Sequence, residues 1–105
     1  MTTVTQGKFE WDDEKEKINI QKHGLSFSEI LPVFDAPLFL EKQDESHSSI
    51  NETRYIGIGK ISGFVVIVTS YTARGKKTRI INARISTKRE ERLYEEWCSK
   101  MYNWG

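Results

Sequence analysis

Two sets of side chains in this sequence are suited to chemistry on a phosphodiester. One is the pair Lys22-His23 before Gly24, and the other is the three arginines Arg74, Arg79 and Arg84. Cutting RNA needs little more than such groups. The substrate brings its own nucleophile, the 2′-hydroxyl. The protein has to take one proton, give another to the leaving oxygen and stabilise the extra charge on phosphorus. A guanidinium suits the last task because its planar fork binds phosphate oxygens in pairs. An imidazole, with an ordinary pKa of about 6.5, suits proton transfer.

Other chemistries lack their parts. His23 and His47 stand far apart in the chain, and there is no paired cysteine, no HExxH and no Asp-x-Asp spacing, so neither a metal nor any other cofactor is expected. Gly57-Ile58-Gly59 falls late in a strand and precedes no helix, so it is no phosphate cradle. Cys98 falls inside a helical pattern and reads as packing. Tyr71 and Tyr55 could stack on bases, each stack being worth roughly 1–3 kcal/mol, or could pack on each other across strands.

Each cation also has a purely structural reading. His23 could pack beside Ile20 and Phe27, and Lys22 could simply complement a helix C-terminus. Arg74 could be a solvated turn residue, and Arg79 and Arg84 could pair with Glu10 or Glu52. In a regular strand Arg79 and Arg84 point to opposite faces, because their separation is odd. Both can serve one site only if a bulge intervenes or one lies beyond the strand end.

The net charge of +1 hides an asymmetry. Residues 1–50 carry five Lys and ten Asp or Glu, whereas residues 51–105 carry eleven Lys or Arg and five Asp or Glu. Between Arg54 and Arg92, ten cations face only Glu90 and Glu91. That pattern favours a polyanionic partner, gathered on one face of a sheet next to the first helix.

The elements that would hold these residues follow from local signals. Residues 1–7 read as a frayed tail, and Lys8 to Trp11 as a short edge strand. Acidic Asp12, Asp13 and Glu14 open a helix that runs to about His23 and stops at Gly24, with Trp11, Ile18 and Leu25 as its apolar stripe. Ser26 caps a second helix with Phe27, Ile30, Leu31 and Phe34 on one face, shortened or kinked by Pro32. Leu38–Lys42, Thr53–Lys60, Phe64–Tyr71 and Thr78–Ile85 read as strands, the last three joined by tight turns into an antiparallel meander. Thr87 and Glu90 form a capping box for a C-terminal helix with Leu93, Tyr94, Trp97, Met101 and Trp104 on its apolar face. The order predicts one α+β domain over residues 1–105, a sheet packed with two N-terminal helices and a C-terminal one. Apolar residues at 37% and charged residues at 30% suit a soluble chain. No apolar run or signal peptide points to a membrane, and a single cysteine suits the cytoplasm.

Phe9-Glu10-Trp11-Asp12, Asn19, Lys22-His23-Gly24, Phe27, Val33-Phe34-Asp35 and Pro37 stand in the order of the BrnT toxin family. Arg54, Gly57, Gly59, Tyr71-Thr72, Arg74, Arg79-Ile80-Ile81, Ala83-Arg84, Lys88, Glu91 and Tyr94 continue the resemblance, which covers about residues 9–94. The resemblance implies a RelE-like fold and a metal-independent ribonuclease that halts growth by destroying RNA and lowering translation. It implies a BrnA-like DNA-binding antitoxin, contact with DNA only through that complex, and a homodimer or a hetero-tetramer with the antitoxin. His23 would then move a proton and Arg79 would stabilise the phosphorane, with Arg74 in the same catalytic set holding the backbone, and with Lys22, Arg84 and Tyr71 binding RNA. The alternative is a decayed, non-catalytic module that binds its antitoxin or nucleic acid. Asn82 stands where Ser is common in the family, Ile85 where Lys or Arg is common, and Pro32 in a segment usually rich in Ala.

Overall fold

The computed structural model describes residues 2–102. The elements run β1 (Thr3–Gln6), β2 (Phe9–Asp12), α1 (Asp13–His23), α2 (Phe27–Ile30), a 3₁₀ turn (Leu31–Asp35), β3 (Leu40–Gln43), a second 3₁₀ turn (Glu45–His47), β4 (Arg54–Ile61), β5 (Val65–Arg74), β6 (Lys77–Ile85) and α3 (Lys88–Tyr102). The strands form one six-stranded sheet in the order β1-β2-β6-β5-β4-β3. Strands β3 to β6 make the expected antiparallel meander. The sheet as a whole is mixed, however, because β2 pairs with β6 in parallel.

The N-terminus departs from expectation. Thr3–Gln6 is not a tail but a strand antiparallel to β2, closed by Gly7 at φ 60. Phe9–Asp12 is therefore an interior strand. Its Phe9 and Trp11 join Phe27, Ile30, Val33, Ile67, Ile80 and Ala83 in the core.

Caps and breakers act as their chemistry requires. Asp12 accepts from the Lys15 backbone N–H at 3.1 Å, and Gly24 ends α1 in the left-handed region at φ 69. Ser26 and Glu29 cap each other's backbone, and the chain tightens from α2 into 3₁₀ geometry where Pro32 cannot donate. Thr87 and Glu90 make the second capping box, at 3.1 and 2.8 Å.

Two glycines let the covering segment approach the sheet. A Cβ on Gly57 would lie 2.2 Å from Phe39 Cζ and 3.0 Å from Tyr71 Cε1, and one on Gly59 would lie 2.9 Å from Val33 Cγ2. Gly57-Ile58-Gly59 thus serves close packing. Gly57→Ala is expected to cost about 1–3 kcal/mol, as overpacking does. Chemical denaturation checks it, and an unchanged midpoint would show that Phe39 can move aside freely.

Helix α1 does not pack by an apolar stripe. Ile18 and Ile20 are exposed, and Asn19 is the one buried residue of the helix. Its Nδ2 donates to the carbonyls of Ala83 at 2.8 Å and Leu25 at 2.9 Å, and its Oδ1 accepts from the Ala83 N–H at 3.0 Å. The β2–β6 pairing ends at Trp11 and Ile80, so β2 cannot reach the Ala83 backbone. The Asn19 amide takes those two groups as a neighbouring strand would, which satisfies them and fixes α1 against the C-terminal half of β6.

Candidate active site

The strand register decides which cations share a surface. Arg79 pairs with Thr72 and Arg84 with Val68, four residues apart on β5, so both side chains stand on one face. Ile80, opposite Tyr71, and Ala83, opposite Thr69, share the other face and enter the core. This phasing requires an extra residue in β6, and the ladder slips between Ser70 and Tyr71 with Ile81 left over. The bulge supplies the break that the odd spacing of the two arginines demanded. Register places Lys42, Arg54 and Lys60 on the same face.

Carboxylates occupy much of that basic face. Glu10 holds Arg79 at 2.6 Å with both side chains largely buried, and Glu52 bonds Arg54 at 2.9 Å and Arg74 at 3.4 Å. Glu95 of α3 holds Lys60 at 2.5 Å. Arg54 keeps the Glu52 carboxyl below its usual range, more by hydrogen bonding than by charge alone. Glu90 takes Arg84 end-on, Nη1 to Oε1 at 2.7 Å and Nη2 to Oε2 at 2.8 Å.

A cleft of about 360 Å³ opens where α1 meets β6. Lys15, Lys22 and His23 line it from the helix, and Asn82 and Arg84 line it from the strand, over a floor that includes Asn19. Lys22 and His23 come to it because Gly24 lets the helix end there, leaving both side chains exposed on the last turn. His23 is therefore solvent-facing and not packed against Phe27. Among the described residues, no group of three or more His, Cys, Asp or Glu side chains lies close enough together to hold a metal ion.

The arrangement unites three of the residues expected at the site, Lys22, His23 and Arg84, and leaves out the others. Arg74 stands six residues along β5 from Val68, the partner of Arg84, which is about 20 Å of strand. Arg79 is four residues from that level, or about 13 Å, and is bound to Glu10. Neither lines the cleft. The expected grouping of His23 with Arg79 and Arg74 is thus replaced by His23 with Arg84.

Tyr71 is corrected outright. It is 5% exposed, inside a cluster with Phe34 at 5.0 Å, Tyr55 at 5.8 Å and Phe39 at 6.2 Å. Its hydroxyl donates to Glu41, and burial first, then Glu41, raises its pKa. No face of the ring is left for a base, and the cross-strand reading of Tyr55 and Tyr71 holds.

Glu90 was visible in the sequence only as a helix cap. Arg84 first, then Thr87, holds its carboxyl at about 2 against an ordinary 4.5, despite opposing desolvation. Because the folded state favours the ionised form, the stability this gives is complete above pH 4.5 and is lost as pH falls through 2. The difference in melting temperature between wild type and Glu90→Gln is expected to shrink across that window. A constant difference from pH 6 to about pH 2 would contradict the linkage.

Comparison with known proteins agrees with this architecture. Residues 11–90 match the family model described as ribonuclease toxin, BrnT, of type II toxin–antitoxin system. Among solved structures, the chain is similar to the 1.1 Å crystal structure of the Brucella abortus ribonuclease toxin, BrnT. The two are 25% identical, with a TM-score of 0.56 over 74% of this chain and 94% of that one. No curated protein matches the chain.

Proposed function

The chain belongs to the BrnT family of ribonuclease toxins of type II toxin–antitoxin systems, and from that premise we propose that it cuts RNA, without a metal, in the cleft between α1 and β6. The observation that carries this reading is the meeting of Lys22, His23 and Arg84 in one cleft, although helix and strand lie some 60 residues apart in sequence. A phosphate seated there would have Arg84 on its non-bridging oxygens, where charge grows as the 2′-oxygen attacks. His23 would take the proton from the attacking 2′-hydroxyl or give one to the leaving 5′-oxygen. Lys22 and Lys15 would hold the flanking backbone, as point charges on the helix side.

The family implies an antitoxin. The reading extends to a BrnA-like DNA-binding protein that neutralises this chain by laying acidic residues over the same cations. Homodimeric and hetero-tetrameric forms, DNA contact through the complex alone, a RelE-like ancestry for the scaffold, and arrest of translation through RNA loss in the cytoplasm belong to the same proposal. No helix among the described residues is long and apolar enough to cross a membrane.

Incubation of the purified protein with single-stranded RNA in excess EDTA tests it. The expected result is cleavage leaving 2′,3′-cyclic phosphate and 5′-hydroxyl ends, because the 2′-oxygen is the nucleophile. Cleavage that stops in EDTA and returns with a divalent cation would overturn the metal-free mechanism. RNA binding or antitoxin binding with no cutting would favour the non-catalytic alternative.

A further inference from the structure

We propose that Glu90 is a positioning residue for RNA cleavage, aiming the Arg84 guanidinium into the cleft from the first turn of α3. The inference rests on the assignment of the scissile phosphate to that cleft.

The geometry of the pair is the starting point. Glu90 meets Arg84 end-on, using one hydrogen on each Nη at 2.7 and 2.8 Å. An arginine has five N–H donors. The end-on contact leaves Nε–H and the remaining Nη hydrogens, and so an unused side-on fork of the kind that binds phosphate oxygens in pairs. A free arginine loses much rotamer freedom when it binds, and a guanidinium already held in one plane loses less.

Glu90 is itself held. Its Oε1 accepts from the Thr87 backbone N–H at 2.8 Å, and its own N–H donates to Thr87 Oγ1 at 3.1 Å. The same carboxylate therefore closes the α3 capping box and grips Arg84, linking the start of α3 to the cleft. Its low pKa keeps it ionised throughout the neutral range. Glu10 holds Arg79, and Glu52 holds Arg54 and Arg74, each through a single contact, and none of those arginines lines the cleft. Glu90 is distinguished by the residue it holds.

The test is a double-mutant cycle with Glu90→Gln and Arg84→Ala, read as single-turnover cleavage of a labelled RNA oligonucleotide with protein in excess. Glutamine still closes a capping box, so α3 is retained, and thermal melting at neutral pH verifies the fold. Glu90→Gln is expected to slow cleavage about tenfold, mainly in the rate at saturating protein, and to have no further effect in the Arg84→Ala background. An equal loss in both backgrounds would overturn the inference, because Glu90 would then act only through α3. A faster Glu90→Gln protein would overturn it too, by making Glu90 a competitor of the phosphate. If Arg84→Ala is inactive while Glu90→Gln is unchanged, the positioning role alone fails. If Arg84→Ala cuts at the wild-type rate, the cleft assignment fails and takes this inference with it.

Discussion

Replacing His23 with Ala is expected to slow RNA cleavage by about 10²–10⁴-fold, the range a positioned proton-transfer group contributes. The fold should survive, because His23 is an exposed residue on the last turn of α1. Arg84→Ala is expected to lose about 10²–10³-fold, as removal of a donor to a developing oxyanion does. Arg84→Lys should recover little of it, since an ammonium cannot reproduce the paired geometry of the fork. Arg74→Ala should leave the rate near that of wild type, because Arg74 stands at the hairpin end of β5 and not at the cleft. Initial rates on one RNA substrate, with melting curves for each variant, check the set. A His23→Ala protein that still cuts at the wild-type rate would remove the imidazole from the mechanism.

Asn19→Ala is expected to be the most destabilising single change near the site. It strips the partners from the N–H and C=O of Ala83 and from the carbonyl of Leu25. Leaving buried polar groups unsatisfied costs about 1–3 kcal/mol each, so the three contacts together give roughly 3–5 kcal/mol. For a domain of this size that lowers the melting temperature by well over about 10 °C. Cleavage should fall as well, since the same amide fixes the helix that carries Lys22 and His23. Denaturant unfolding measures it, and a loss below about 1 kcal/mol would mean that water replaces the amide without cost.

Asn19 also shows where sequence reading reached its limit. Trp11, Ile18 and Leu25 recur every seven residues and invite an apolar stripe, yet Ile18 is 49% exposed and the buried neighbour is polar. The partner that makes Asn19 a core residue lies 64 positions away, and no local pattern encodes that. Signals that act within one turn were readable for the same physical reason in reverse. The boxes Ser26/Glu29 and Thr87/Glu90, the stop at Gly24 and the break at Pro32 are satisfied by atoms a few residues off. β1 was missed because Val4 is a lone apolar residue among Thr and Gln, although Gly7 marks the turn that folds it onto β2. The parallel β2–β6 pairing joins residues on opposite sides of the α1-to-β5 stretch, far apart in sequence, and leaves no mark in either strand.

The site was legible in part. Lys22-His23-Gly24 announced a helix end carrying two basic side chains, and that is how the segment folds. The odd spacing of Arg79 and Arg84 raised the question of a bulge, and the slip opposite Ser70 and Tyr71 answers it. Which arginine joins His23 was not readable, because it depends on how far β2 extends and on which carboxylates capture Arg74 and Arg79. Tyr71 misled because a tyrosine in a strand rich in Val and Ile looks the same whether its ring meets solvent or Phe34. The stripe Leu93, Trp97 and Met101 on α3 is exposed, and only Tyr94 of that face is buried, donating to the Leu38 carbonyl at 2.5 Å. Trp104, assigned to the same stripe, lies outside the described residues.

The most direct measurement is an NMR titration of the protein with a single-stranded RNA made uncleavable by a 2′-deoxy substitution at the scissile position. Shifts in the His23 ring, the Lys22 ammonium and the Arg84 guanidinium, with Arg74 and Arg79 unmoved, are the predicted result. Shifts centred on Arg74 and Arg54, with His23 silent, would put the RNA elsewhere on the sheet and contradict the assignment of the cleft.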